Sequence, residues 1–498
     1  MRMDSLSSNP PSRRALLLAL LMSAVAMTIA GCSRPTVVEE LKQERVLHVI
    51  TRNAPTTYFE GRDGATGFEY ELAKLFAEEL GVELRLRTAD NLGEIYEVLG
   101  NNYTHFAATG LSLPAELRER YPVTTPYLQI TQKVVYRQGS PKPRSTTDLV
   151  GKRILVMANS SYAEALRRLR DNQLPELAWT ETSENEVVDL LRMVDEGEID
   201  LTVADSNEVS VYQAYYPRVA EAFDLSEPQP VSWIFPATRD DSLQQQAQAF
   251  FQRIEQDGTL LQLKERFYGH VDQLNYVGAR TFLHHIGNRL PLYEPLFQEA
   301  GEKYGVDWRL LAAMSYQESH WRPNAVSPTG VRGLMMLTLA TAKELGIHNR
   351  LDPRNSIMGG AQYFAMIRDR IPERIPEPDR SWLALASYNV GYGHLEDARI
   401  LTERQGLNPD KWIDVKQHLP LLQKAKWYRQ TRYGYARGME PVQYVQNIRR
   451  YYDVLAWMTQ PEPTATQVAE QETSTTTTPQ VSAQINVPQP FQSTPPML

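Results

Sequence analysis

The sequence predicts a multidomain protein, a two-lobed α/β block followed by a mostly α block. Three observations predict it. Strand-like and helix-like hydrophobic periods alternate over residues 46–270, whereas helical periods dominate from about residue 281 to 457. In addition, a chain of 498 residues is too long for a single compact core.

Composition removes several classes of protein. With 42% hydrophobic and 22% charged residues, the chain is not a polytopic membrane protein. A net charge of -8 leaves no basic footprint, so nucleic acid is not an expected partner. A single cysteine excludes an internal disulfide framework and any cysteine-rich metal site.

That cysteine closes a patterned amino terminus. Arg13 and Arg14 precede an apolar run over residues 15–30, and Ile29-Ala30-Gly31-Cys32 follows the small-residue rule of a secretory cleavage site. The run is short for a spanning helix, which needs about 20 apolar residues. Residues 1–31 therefore read as a signal peptide and residues 32–45 as a linker.

The first block then unfolds in order. Residues 46–50 are a β-branched strand, followed by turn-forming Asn53-Ala54-Pro55. Phe68, Leu72, Leu75, Phe76 and Leu80 recur with a helical period, and Val82-Glu83-Leu84-Arg85-Leu86 alternates as a strand. Further segments at 151–157, 162–169, 187–194 and 201–204 continue the alternation, which argues for layers around largely parallel strands. Gly139-Ser140-Pro141-Lys142-Pro143 interrupts it and places a crossover between lobes near 138–146; Pro228 and Pro230 place the return near 226–232. The second block, residues 271–460, carries loops at 322–329, 372–379 and 407–409. Beyond it, residues 461–498 are rich in Thr, Pro and Gln and have too few large apolar groups to offset chain entropy, so they are expected to stay disordered.

The chemistry concentrates in residues 306–321, VDWRLLAAMSYQESHW. Leu311, Met314, Ser315 and Glu318 share one helical face, and Leu310, Met314, Gln317 and Trp321 form an overlapping stripe. Glu318 thus lies on the apolar side, where a carboxylate is costly to ionise. A desolvated glutamic acid keeps its proton to higher pH and can donate it near neutrality. Asp352, Asp369, Asp379 and Asp397 are the rival carboxylates and read as surface or capping groups. His320 and His394 have no accompanying ligand cluster, so a site without metal or cofactor is expected.

Three resemblances add to this reading. Cys32 directly after Ala-Gly resembles the lipobox of bacterial lipoproteins, which implies a lipid-bearing Cys32. Ser33 after it implies the outer membrane, facing the periplasm. A plain signal peptide with an incidental cysteine is the alternative.

Residues 46–270 resemble the family 3 periplasmic solute-binding proteins of the amino-acid-binding branch. The likeness rests on Gly67-Phe68-Glu69-Tyr70-Glu71-Leu72-Ala73, on residues 112–127, on Asn159-Ser160-Ser161, on Asp200 and Asp205, and on Asp257-Gly258-Thr259. It implies a two-lobed periplasmic binding-protein domain. In it Asp205 would take a ligand ammonium and Arg118 a carboxylate, with Tyr58, Ser112 and Ser160 alongside. Ala115-Glu116-Leu117-Arg118 is one residue longer than the usual spacing, which favours a cell-wall peptide over a free amino acid, or a degenerate pocket.

The second block resembles the family 1 lytic transglycosylases, which are lysozyme-like. Glu318-Ser319 matches their Glu-Ser motif and Gly333-Leu334-Met335-Met336 their Gly-Leu-Met-Gln motif. Ser387-Tyr388-Asn389 matches Ala-Tyr-Asn, and Tyr444-Val445 with Ile448 and Tyr451 the terminal tyrosine motif. The resemblance implies cleavage of peptidoglycan glycan strands between N-acetylmuramic acid and N-acetylglucosamine, with Glu318 as sole acid and base. Ser319, Met335, Met336, Tyr388, Asn389 and Tyr444 would line the substrate cleft, and Tyr444 would hydrogen-bond Glu318. Two other functions stay open: a wall-anchored solute receptor with an inert lysozyme-like domain, and a hydrolytic lysozyme.

Overall fold

The computed structural model describes residues 35–61, 64–213, 215–269, 276–327 and 330–459. The expected signal peptide, Cys32 and the Thr/Pro/Gln-rich tail lie outside the described residues.

The first lobe is built on β1 (Val46–Arg52), which lies between β2 (Glu83–Ala89) and β3 (Phe106–Ala108), all parallel. Helix α2 (Phe68–Leu80) covers one face, and its Phe68, Leu72 and Phe76 are buried with Leu47, Val49 and Trp233. It stops at Gly81, whose φ of 72° terminates the helix in the left-handed conformation. Truncating a ring such as Phe76 would cost about 3–5 kcal/mol.

Part of the expected linker is structured. Helix α1 (Val37–Glu44) starts in a capping box between Thr36 and Glu39, and buries Val38 and Leu41 in the first-lobe core. Eight residues give too few turns for a periodicity to stand out, which is why the segment reads as a linker.

The chain passes between lobes earlier than the Gly/Pro signal indicated. Strand β4 (Leu128–Ile130) pairs antiparallel with β10 (Gln229–Val231), but β5 (Gln132–Arg137) pairs with β8 (Leu201–Asp205) and β9 (Val219–Asp224). Pairing partners therefore change across Thr131, and residues 138–146 form a loop of the second lobe, beyond the end of β5. An extended chain can change sheets without a turn, so no glycine or proline marks the passage. The second lobe also departs from largely parallel pairing. Its sheet β8–β5–β9 is antiparallel, while β6 (Leu155–Met157) pairs parallel with β7 (Thr180–Thr182) and an isolated parallel bridge joins Ile154 to Leu201. Helices α3 (Val187–Glu196) and α4 (Ser206–Tyr212) pack on this lobe, and α5 (Thr259–Tyr268) closes the block.

Among the described residues the second block has helices and no strand, apart from isolated bridges at Arg332. Helices α6 (Glu294–Tyr304), α7 (Trp308–Ser319), α8 (Pro353–Arg370), α9 (Asp379–Val390), α10 (Trp412–His418) and α11 (Met439–Met458) surround one core. Phe297, Trp321 and Trp412 are fully buried there. Helix α7 lies against both α6 and α11, so its last turn is held on two sides.

Candidate active site

Asp307 caps α7 by accepting the Arg309 amide at 2.9 Å, and the helix ends at His320 with φ 52°. Trp321 follows with φ 53°. Two successive left-handed residues that are not glycine are uncommon. They are held because the Trp321 indole is buried and donates to the Ala312 carbonyl at 2.9 Å. The turn fixes Glu318 one position from the helix end.

A second turn, residues 333–336, is strapped to the helices from several sides. Gly333 has φ 87°, and a Cβ there would lie 1.9 Å from the Arg350 carbonyl oxygen, so only glycine fits. The Leu334 carbonyl accepts from Ser315 Oγ at 3.1 Å and Ser319 Oγ at 2.9 Å. Ser356 Oγ accepts the Met335 amide at 3.1 Å, and the Tyr388 hydroxyl donates to the Met335 carbonyl at 3.0 Å.

Between these turns and α11 sits the Glu318 carboxyl. Its Oε1 accepts from the Tyr444 hydroxyl at 2.7 Å, and no other hydrogen bond reaches it among the described residues. The side chain is partly exposed, yet desolvation pushes its pKa up to about 7, partly opposed by the Tyr444 hydrogen bond. The Tyr388 and Tyr444 rings stack at 6.5 Å and 10° beside it. An acid of this kind is protonated at mildly acidic pH and ionises near neutrality, so it can give up a proton and later recover one.

The other expected cleft residues divide. Tyr388 and Met336 are half-buried, Asn389 is exposed, and Tyr444 is buried with its hydroxyl on the acid. Ser319 and Met335 do not reach a cleft. Ser319 is 2% exposed and its hydroxyl is taken up by the Ser315 and Leu334 carbonyls. The Met335 side chain is fully buried against Gly360, and the residue takes part only through its backbone, the amide on Ser356 and the carbonyl on Tyr388. The pattern of a motif names positions, and here adjacent side chains face differently, Met335 inward beside half-buried Met336. Met336 has φ 47°, a third strained position at this site.

The rival carboxylates hold backbone or surface. Asp352 caps α8 through the Asn355 amide, Asp379 accepts the Trp412 amide, and Asp397 accepts the Arg432 and Tyr433 amides. Asp369 is exposed. Ser315, on the helical face of Glu318, supports the site, as do Ser356 and Tyr363 without a sequence signal, the last by its ring 5.4 Å from that of Tyr388.

In the first block, Asp205 is fully buried and accepts from the Ser112 amide and hydroxyl at 2.9 and 3.0 Å and from the Tyr162 hydroxyl at 3.1 Å. Burial pushes its pKa up to about 7 against those bonds. Ser161, next to Ser160, bonds Ser112 at 2.7 Å. Ser160 itself caps a helix by accepting the Ala163 amide. Tyr58 packs on Tyr70 with ring centroids 5.7 Å apart.

Arg118 is turned away from this group, donating to the Leu113 carbonyl at 2.9 Å. Arg118 lies on the short helix Ala115–Arg120, where its side chain is half-buried. The guanidinium between the lobes is that of Arg52, 1% exposed, which donates to Glu186 at 3.0 Å and faces Glu208 at 3.4 Å. Its position at the carboxyl end of a parallel strand, where open α/β sheets bind ligands, is the signal that could have found it.

These two sites on their two folds define the class: a solute-binding-type domain fused to a lysozyme-like transglycosylase domain. Family models agree, with bacterial extracellular solute-binding proteins, family 3, matching residues 47–270 and the transglycosylase SLT domain matching residues 295–409. An ancestral arginine-binding protein bound to arginine aligns at 20% identity with a TM-score of 0.41, over 45% of this chain and 98% of that one.

Relatives match nearly end to end. The membrane-bound lytic murein transglycosylase F of Hahella chejuensis is 56% identical over 96% of this chain and 95% of its own length. That of Ectopseudomonas mendocina is 54% identical over 93% and 96%, and that of Pseudomonas syringae pv. tomato 52% identical over 91% of each. The chain belongs to the membrane-bound lytic murein transglycosylase F family.

Proposed function

We propose that this protein cleaves peptidoglycan glycan strands by a non-hydrolytic route in which Glu318 serves first as acid and then as base. The observation that carries the proposal is a single desolvated carboxyl, bonded among the described residues only to Tyr444, at a partly open site. Two-carboxylate glycosidases need a second acid about 5–10 Å away, and Asp352, Asp379 and Asp397 are tied to backbone amides instead. In the proposed sequence Glu318 protonates the oxygen linking N-acetylmuramic acid to N-acetylglucosamine, and the bond to the anomeric carbon breaks. The muramic acid C6 hydroxyl then attacks that carbon and passes its proton to the Glu318 carboxylate. The product is a 1,6-anhydromuramic end, and no water is consumed. Tyr444 holds the carboxyl, Tyr388 braces the turn at Met335, and Asn389 and Met336 face the sugars.

The first block would bind an amino acid or cell-wall peptide between its lobes, with Asp205 and Ser112 in the binding surface, and regulate turnover. Cys32 would bear a lipid holding the protein to the periplasmic face of the outer membrane. No helix among the described residues is long and apolar enough to cross a membrane.

Mass spectrometry of digested sacculi tests the catalytic proposal. Anhydro ends from the wild type and none from Glu318→Gln are expected; reducing ends would make the protein a hydrolase, and no cleavage would make it a receptor. For the anchor, Cys32→Ser should release the protein from the membrane fraction.

A further inference from the structure

Helix α11 presents Tyr444 to Glu318, while its other side is gripped by the first block. Arg449 lies five positions further on, about 7.5 Å along the axis, and is only 4% exposed. Its Nη1 donates to Glu265 Oε1 at 3.1 Å, and its Nη2 donates to the Glu265 and Arg266 carbonyls at 2.7 and 2.9 Å. Those carbonyls belong to the last turn of α5, where the helix dipole favours positive charge; the Glu265 carbonyl also accepts the Gly269 amide at 3.1 Å.

The same guanidinium lies 3.9 Å from the centroid of Trp382, on α9, the helix that carries Tyr388. Lys416 of α10 supplies Glu265 Oε2 with a second cation at 2.6 Å. Asp453 on α11 and Asp379 on α9 complete the charges around Arg449. Near the end of α11, Trp457 packs 5.6 Å from Tyr215 and 6.4 Å from Tyr212, again residues of the first block.

We propose that Glu265, a residue of the solute-binding block, is a positioning residue for the transglycosylase reaction: through Arg449 it fixes α11 and α9 so that Tyr444 meets Glu318. The proposal rests on Glu318 being the acid and base. The groups that titrate against the Glu318 carboxyl are Tyr444 from α11 and Tyr388 from α9. Arg449 touches no atom of the Glu318 carboxyl and stands about 7.5 Å along α11 from Tyr444, so the influence is exerted by placement of the helix. If α5 withdraws, Arg449 loses its carboxylate and both carbonyls together. The helix then shifts, and Glu318 loses the hydrogen bond that stabilises its ionised form.

The test uses the full chain with Glu265→Gln, and Arg449→Lys as a second variant that keeps the charge but loses the fork. Release of anhydro-muropeptides from sacculi is followed against pH. The expected result is a fall in kcat of about 3- to 10-fold with KM nearly unchanged. The alkaline limb of the profile should move up by about half a unit, as Tyr444→Phe alone would move it. Combining Glu265→Gln with Tyr444→Phe should add little, because both act through one hydrogen bond. A profile and kcat superimposable on the wild type, with only a lower Tm, would reduce the clamp to glue between blocks, and additive effects in the double variant would sink the proposal equally. Failure of the catalytic reading shows separately, as wild-type protein that yields no anhydro ends or Glu318→Gln that still cuts.

Discussion

Glu318 and Asp205 are each pushed up to about 7 by burial, yet they sit in opposite circumstances. Asp205 is wholly enclosed, with both oxygens accepting from Ser112 and Tyr162. Glu318 is partly open, with one oxygen on Tyr444 and the other without a hydrogen bond among the described residues. Desolvation alone therefore does not mark a catalytic acid. What separates the two is spare hydrogen-bonding capacity at a place a substrate can reach. Asp205 ties the lobes together, and a ligand there must first displace Ser112 or Tyr162.

Substitutions can break or sharpen that contrast. The largest effect is expected from Glu318→Gln, which should lower turnover about 10²- to 10⁴-fold while the fold persists, measured by muropeptide release and circular dichroism. Arg52→Ala comes next. It leaves Glu186 and Glu208 without their buried partner and should destabilise the first block by about 3–5 kcal/mol, read from denaturant unfolding. Tyr444→Phe should cost about 10-fold in kcat, since it removes a hydrogen bond to an ionising group, and should shift the alkaline limb upward.

A subtler effect concerns stability. Because the folded-state pKa of Glu318 lies above its ordinary value, the native state gains from its proton most fully below about pH 4.5. That gain is lost as pH rises toward about 7. Glu318→Gln should therefore unfold at higher temperature than the wild type at pH 8, by on the order of 1 kcal/mol after allowance for partial exposure, and the gap should close toward pH 4. The smallest effect is expected from Arg118→Ala, below about 1 kcal/mol, since its guanidinium meets one carbonyl and no ligand group.

Legibility in the sequence followed the length of the signal. Helix α2 spans Phe68–Leu80, where its apolar residues recur over 13 positions, and Glu318 emerged from the phase of α7 against Leu311 and Met314. The short α1 was hidden because eight residues barely establish a period. The lobe passage at Thr131 was hidden because an extended strand needs no turn residue to change partners. Motif matching found the turn at Gly333 but not its facing, so Met335 and Ser319 counted as cleft residues although both point into the core. Arg52 is legible only through its place at the carboxyl end of a parallel strand, because its partners Glu186 and Glu208 come from the other lobe.

The capping box at Thr36 also sets a length scale. Cys32 stands four positions before Thr36, where α1 begins its attachment to the first lobe. With the lipid proposed for Cys32, the tether amounts to about 14 Å of fully extended chain. Such an enzyme works on a short leash. With that lipid in place, the span it could patrol would be set by the size and tilt of its own domains, and the glycan it cut would lie within one protein's height of the bilayer.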